Sequence, residues 1–132
     1  MNGNKVYLQK PEIIGIKNYL FYTICSTICQ GEGVELDDLK MPARWIEILY
    51  PRQLIMYFTY KKGIASLSTI GRFFHKNHAT VIHACKVIQN YYDTDKYKHK
   101  IIDSYNKKFN EIMELLEMDL FKKYENYETD KV

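Results

Sequence analysis

The segment IGRFFHKNHATVIHACKVI, which runs from Ile70 to Ile88, decides the fold predicted for this chain. Apolar residues at helical spacing lie on both sides of the polar triplet 75–77. Asn77 is a residue type preferred at helix N-caps, so the second of two helices is predicted to begin directly after it. Two helices joined by so short a turn form a helix-turn-helix, whose second helix typically enters the major groove of DNA.

Helical patterns continue upstream of this segment. A long helix is predicted to end near Gly31, and a short one follows within 35–40. The next helix contains Pro51, which is tolerated only in a first turn, so its start is predicted near Trp45–Ile48. Its end is predicted at Gly63, as a left-handed residue directly after the helix.

Downstream, the periodic pattern predicts an extended C-terminal helix over 93–125, followed by a polar tail at 126–132 that frays. The prediction for the whole chain, 1–132, is a single all-α domain of about five to six helices. The helix-turn-helix occupies 63–92 of that domain.

The charge distribution favours a polyanion as the ligand of the central region. Residues 40–100 hold eleven Lys or Arg against three acids, a balance of +8, whereas the two flanking regions are acidic. No Asp or Glu occurs between Ile48 and Tyr92. A solvated face normally mixes both signs, so a long segment of one sign is a candidate surface for DNA.

Metal binding and catalysis fit the same residues less well. His78 and His83 are five residues apart and do not share a helix face, and neither a Cys-x-x-Cys nor a His-Glu-x-x-His spacing occurs. The segment has no carboxylate to orient a histidine base, and the chain has no G-x-x-x-x-G-K-[ST] phosphate loop. We therefore predict no enzyme activity, no metal, no cofactor and no nucleotide.

The remaining composition predicts the cellular setting. The three cysteines, Cys25, Cys29 and Cys85, have no disulfide-framework spacing, which favours free thiols in a reducing compartment. The sequence shows neither a secretory signal nor an apolar run long enough for a membrane span. The predicted location is cytoplasmic and nucleoid-associated, without a membrane partner.

The start of the predicted recognition helix carries short side chains that suit base edges: Asn77, His78, Ala79 and Thr80. One turn later, His83 and Lys86 are placed to reach phosphates. The opposite face is predicted to be buried and contains Val81, Ile82, Cys85 and Ile88. The alternative interpretation is a plain solvent-facing helix with incidental histidines.

These residues resemble a known signature. The DNA-binding C-terminal domain of the bacterial chromosomal replication initiator DnaA carries a motif close to I-G-x-x-F-G-G-R-D-H-T-T-V-x-H-A-x-x-K-I, which is similar to residues 70–88 here. The segment Pro51–Tyr57 resembles the family's P/A-R-Q-x-A-M-Y, and Ser66–Ser68 resembles its Ser-Leu-Pro. The likeness covers about 24–113, the region corresponding to domain IV of that family.

The resemblance implies specific roles for individual residues. The base contacts would come from Asn77, His78, Ala79 and Thr80, and the minor-groove contact from Arg44. The DNA backbone would be held by Arg52, Gln53, Lys76 and His83, to which the basic charge adds Lys61 and Lys86. This sequence departs from the motif in three ways: its turn is one residue shorter, Asn77 replaces the Asp, and Ala79 replaces the first Thr.

The function predicted from the sequence is sequence-specific binding of double-stranded DNA. The ATPase domain of the family's initiators has no counterpart in these 132 residues, so we expect a stand-alone replication-associated or regulatory protein of a phage, plasmid or integrated element. A protein-interaction adaptor that keeps the domain as a scaffold is the alternative. A protein partner or self-association is predicted to use the C-terminal helix.

Overall fold

The computed structural model describes residues 10–42 and 45–131, and their side chains for 14–42 and 45–117. The described residues form five α-helices and one 3-10 helix, and they contain no strand. In chain order these are α1 (Lys10–Glu32), the 3-10 helix (Leu36–Lys40), α2 (Ile46–Lys61), α3 (Leu67–Phe73), α4 (His78–Thr94) and α5 (Lys96–Lys131). The all-α prediction is confirmed.

The helix boundaries follow local capping chemistry. The Ser66 hydroxyl accepts the backbone N–H of Thr69 at 3.2 Å at the start of α3. Asp95 does the same for α5, since its Oδ1 accepts the N–H groups of Tyr97 and Lys98, both at 3.0 Å. Gly63 follows α2 with a φ of +69°, the left-handed conformation predicted for it.

Pro51 lies deeper in its helix than the sequence suggested. Helix α2 begins at Ile46, as predicted, but Pro51 is its sixth residue and therefore lies beyond the first turn. The missing N–H leaves the carbonyl of Glu47 without its usual partner four residues on. Because Glu47 is exposed, water can satisfy that carbonyl, which explains why the helix continues through the proline.

Helix α2 is the centre of the core. Its fully buried residues Leu54, Ile55 and Phe58 lie among side chains from the surrounding helices. Phe74 and Ile88 bring the helix-turn-helix into the same cluster, and its other buried members include Ile24, Ile28, Leu39, Ile70, Val81 and Ile102. Burial of a side chain of this size contributes about 1.5–3 kcal/mol. The recognition helix is therefore mounted directly on the core.

A close backbone approach shapes the turn between α3 and α4. The N–H of Lys76 donates to the carbonyl of Gly71 at 2.8 Å. A Cβ atom on Gly71 would stand 2.7 Å from the carbonyl oxygen of Lys76, so only glycine fits. His75 occupies the left-handed region with a φ of 58°, which allows the chain to reverse within so few residues.

Helix α5 is longer than predicted. It runs to Lys131, six residues beyond the expected end at 125, so 126–131 is helical where a frayed tail was expected. The range 96–131 contains neither Gly nor Pro, and nothing in the sequence terminates the helix earlier. Near its middle, α5 is attached to the end of α2 because Lys62 Nζ donates to the Oδ1 atoms of Asn106 and Asn110.

Candidate nucleic-acid interface

Helix α4 has one buried face and one open face. Val81, Ala84 and Ile88 are at most 1% exposed and pack into the core. The open face carries residues that are exposed to solvent: His78, Ala79, Ile82, His83 and Lys86. Four of these lie at i, i+3, i+4 and i+7 from Ala79, which is the spacing of a single helix face. The predicted positions Ala79, His83 and Lys86 therefore share one accessible surface with Ile82.

Ile82 corrects the predicted orientation of the helix. The apolar pattern predicted Ile82 on the buried face, but it is 37% exposed and stands beside His83 on the open face. Apolar periodicity could not reveal this, because Ile82 directly follows a buried valine. An exposed isoleucine in this position is suited to apolar contact with a thymine methyl group.

Asn77 and Thr80 are engaged with each other at the start of α4. Asn77 Oδ1 accepts the Thr80 backbone N–H at 3.0 Å and its hydroxyl at 3.3 Å. Asn77 is therefore the N-cap of the helix, which leaves the NH₂ group of its amide as the part that can face a ligand. Thr80 is half-buried, whereas His78 and Ala79 are fully on the surface.

The structure buries Arg52 and Gln53, two of the residues predicted to hold the DNA backbone. Arg52 is only 4% exposed, and its Nη1 donates to the carbonyl oxygens of Leu39 and Met41 at 3.2 and 2.8 Å. Burial lowers the pKa of this guanidinium. Gln53 is only 6% exposed. Both side chains are therefore much less accessible than a residue that contacts phosphate on an open surface would be.

Arg44 belongs to the connection between the 3-10 helix and α2, residues 41–45, which begins next to the helix-turn-helix. Arg44 itself lies outside the described residues. Upstream of it, Lys40 Nζ lies 4.4 Å from the centroid of the Phe73 ring, at the end of α3. The Arg52 hydrogen bonds fix the backbone of the same connection at Met41. The start of the basic connection is thus held between α2 and α3, close to the turn that precedes the recognition helix.

The other predicted cations differ in accessibility. Lys61 and Lys86 are exposed, and Lys76 is half-buried. Lys61 Nζ stands 5.8 Å from the centroid of the Tyr57 ring on α2. Arg72 was not among the predicted contacts, although it is exposed on α3, where its Nη2 donates to Thr69 Oγ1 at 3.2 Å. The acid-free stretch between Ile48 and Tyr92 was the signal that could have identified it.

The thiols are protected rather than reactive. Burial raises the pKa of Cys25 to about 12 and also raises those of Cys29 and Cys85. Among the residues that the structure describes, no three His, Cys, Asp or Glu side chains come together in a way that could hold a metal ion. No helix in the described ranges is both long and apolar enough to cross a membrane.

Comparison with known proteins identifies the family. The model of the bacterial DnaA protein helix-turn-helix matches residues 21–88, which include α2, α3 and most of α4. The chain belongs to this family. The resemblance of the 70–88 motif is therefore confirmed, and membership implies that this helix-turn-helix binds DNA.

Individual relatives agree with the family match. The chromosomal replication initiator protein DnaA of Thermodesulfovibrio yellowstonii is 40% identical over 86 residues, which are 64% of this chain and 20% of that protein. The corresponding protein of Flavobacterium psychrophilum is 40% identical over 76 residues, 57% of this chain and 16% of that protein. The chain thus spans about a fifth of the length of these relatives.

Proposed function

We propose that this protein binds a specific short sequence of double-stranded DNA, with the start of α4 in the major groove. The observation that carries the proposal is the open face of α4, on which His78, Ala79, Ile82 and His83 project from a helix seated on the core. Such a surface combines hydrogen-bonding groups with apolar ones, as reading of base edges requires.

The surrounding charge supports the same arrangement. Arg44 is proposed to enter the adjacent minor groove, where a narrow A·T-rich site concentrates negative potential. Phosphates would be held by four further residues: Lys61, Lys76, His83 and Lys86. Arg52 is proposed to position the connection that carries Arg44 rather than to bind phosphate. Gln53 is only 6% exposed, so it could contact a phosphate only through the small part of its side chain that reaches the surface.

The biological role that we propose is replication-associated or regulatory, in a phage, plasmid or integrated element. The replication-associated part of this role is supported by the relatives, which are chromosomal replication initiator proteins. Association with the nucleoid would follow from DNA binding itself. Catalysis is not part of this proposal.

Selection of bound duplexes from a random pool tests the proposal. We expect an enriched motif, and binding of that motif should weaken with salt at a slope of about −4 in log K against log[salt], as four to five phosphate contacts predict. Enrichment of no motif would show that the protein does not read sequence, and so would equal binding of an enriched duplex and its scrambled version.

A protein-interaction role through α5 is the second candidate. Leu115 is 61% exposed on this helix, although Ile112 and Leu116 beside it are partly buried. We propose Leu115→Lys as its test, measured by sedimentation velocity and by duplex binding. If the species in solution becomes smaller while the DNA affinity stays the same, the result would support self-association through α5. If the size of the species is unchanged, self-association through Leu115 is excluded.

A further inference from the structure

Trp45 is largely exposed, so its side chain contributes little to the stability of the isolated domain. It is the only tryptophan of the chain, and it occupies the N-cap of α2 with 74% of its surface exposed. N-caps are normally Ser, Thr, Asp or Asn, whose oxygen accepts an otherwise unpaired N–H, and Trp45 makes no such side-chain bond. A residue that breaks a local rule at a cost in stability is expected to serve a contact outside the domain.

Two further large apolar side chains are exposed close to Trp45 in the sequence. Ile46 is 52% exposed and Met41 is 57% exposed, so three large apolar side chains face solvent within six residues. The backbone under Trp45 is fixed, because its carbonyl accepts the N–H groups of Ile48 and Leu49 at 3.0 and 2.7 Å. The ring is therefore presented from a rigid point, which reduces the entropy lost when it is ordered by a ligand.

The position of these exposed apolar side chains points to DNA as the molecule that they contact. Trp45 directly follows Arg44, and Glu47 is the only carboxylate in the sequence from Lys40 to Tyr92. The connection that leads to Trp45 is held against α3 by the contact of Lys40 with Phe73 and against α2 by the hydrogen bond from Arg52 to Met41. Proteins that insert apolar wedges into the minor groove combine basic residues with apolar side chains in this way.

We propose that Trp45, with Ile46 beside it, enters the DNA minor groove next to Arg44 as an apolar wedge. This inference rests on the proposed function and adds a local deformation of the DNA to it. Insertion of the ring would partly unstack one base step and kink the duplex. Steps that unstack easily, such as TA and CA, would then be preferred at that point even though no hydrogen bond reads them.

The single tryptophan makes the contact directly measurable. The wild-type protein is titrated with the selected duplex, with binding followed independently by the anisotropy of a label on the DNA. We expect Trp45 emission to change on saturation and its quenching by acrylamide to fall severalfold. Emission and acrylamide quenching that stay the same in a saturated complex would overturn the wedge while leaving the proposed function intact.

A variant separates this contact from the stability of the fold. Trp45→Asn supplies a good N-cap, so unfolding should not become easier, whereas duplex affinity should fall about tenfold and the bend of the bound DNA, measured by energy transfer between its ends, should decrease. Tyr19→Gln is the matched control, because Tyr19 is a 58% exposed aromatic residue on α1, and its affinity should be unchanged.

The remaining outcomes also decide the inference. Wild-type affinity and an unchanged bend in Trp45→Asn would overturn it, although the proposed function would stand. Emission that changes with protein concentration in the absence of DNA would identify the surface as a contact between copies of the chain and would overturn it too. A wild-type protein that binds no duplex at low salt would overturn the proposed function and the wedge together.

Discussion

The carbonyl oxygen of Lys76 lies 2.7 Å from the position that a Cβ atom on Gly71 would occupy, and the carbonyl of Asn77 lies 3.0 Å from it. Both obstacles are backbone atoms, so neither can rotate away. Because Lys76 and Asn77 lead into α4, this one close approach fixes how the recognition helix leaves α3. The glycine of the I-G motif is thus explained by packing inside the helix-turn-helix rather than by a contact with DNA.

Gly71→Ala should therefore destabilise the domain by about 1–3 kcal/mol, because the added methyl group forces the turn away from α3. Urea denaturation followed by circular dichroism measures the change. Gly15→Ala is the control, since nothing lies within 4 Å of a Cβ at that exposed position in α1. That substitution should stabilise the helix by about 0.5–1 kcal/mol. Equal effects at the two sites would show that the turn is not tightly packed.

His75 tests the strain in the same turn. Its φ of 58° is a conformation that costs an L-residue roughly 1 kcal/mol and glycine almost nothing. The family motif has glycine after its phenylalanine, and we expect His75→Gly to preserve or raise the free energy of unfolding. His75→Val should lower it by about 1–2 kcal/mol, because a β-branched residue is least tolerant of this region. The prediction is wrong if valine is tolerated as well as glycine.

The sequence predicted the parts of the fold that depend on neighbouring residues. The cap at Asn77 and the left-handed Gly63 follow from the chemistry of one turn, and both are present in the structure. The extended C-terminal helix was predicted for the same reason, because its periodicity is unbroken. Its true end was missed because the polar composition after Glu125 resembles a tail, although nothing there breaks a helix.

The parts that failed depend on contacts between distant residues. Arg52 looked like a surface cation, but its hydrogen-bond acceptors are carbonyls 11 and 13 residues earlier in the chain, which no local pattern reveals. Ile82 looked buried because apolar residues flank it, and only the packing of α4 on α2 determines which of them faces outward. The sequence therefore predicted which residues begin α4, but it did not predict which of the candidate side chains are exposed and which are buried.

His78 and Ala79 provide the sharpest test of base reading. His78→Ala should cost about 1–3 kcal/mol on the selected duplex and much less on a scrambled one, because a base contact specifies whereas a phosphate contact only positions. Ala79→Thr should shift the selected sequence toward that of the family, since it restores the missing hydroxyl. Both are measured as affinities for the two duplexes. Equal weakening of both duplexes by His78→Ala would remove His78 from the reading surface.

Arg52 is expected to act through the protein rather than through the DNA. Arg52→Leu leaves the carbonyls of Leu39 and Met41 without their charged donor and should destabilise the domain by about 2–3 kcal/mol. The salt slope of duplex binding should stay the same, because no phosphate contact is lost. Lys86→Ala is the opposite case: the slope should decrease in magnitude by about 0.9, with stability within about 0.5 kcal/mol of wild type. A reduced slope with unchanged stability in Arg52→Leu would restore it to the phosphate contacts.

The buried thiol and phenols predict a loss of stability at alkaline pH. Burial raises the pKa of Cys25 from 9.0 to about 12, and it raises those of Tyr50 and Tyr105 as well. In the unfolded chain these groups lose their protons at ordinary pKa values, so above about pH 9 the unfolded state binds fewer protons than the folded state, and the free energy of unfolding falls as the pH rises. The Cys25 contribution is complete below pH 9 and disappears progressively between about pH 9 and 12.

Urea midpoints measured from pH 7 to 11 should therefore fall steadily above pH 9, and Cys25→Ala should show a shallower fall than wild type. A wild-type midpoint that stays constant to pH 11 would mean that these groups ionise as easily in the folded protein as in the unfolded chain, and that the core is more open to water than the structure shows.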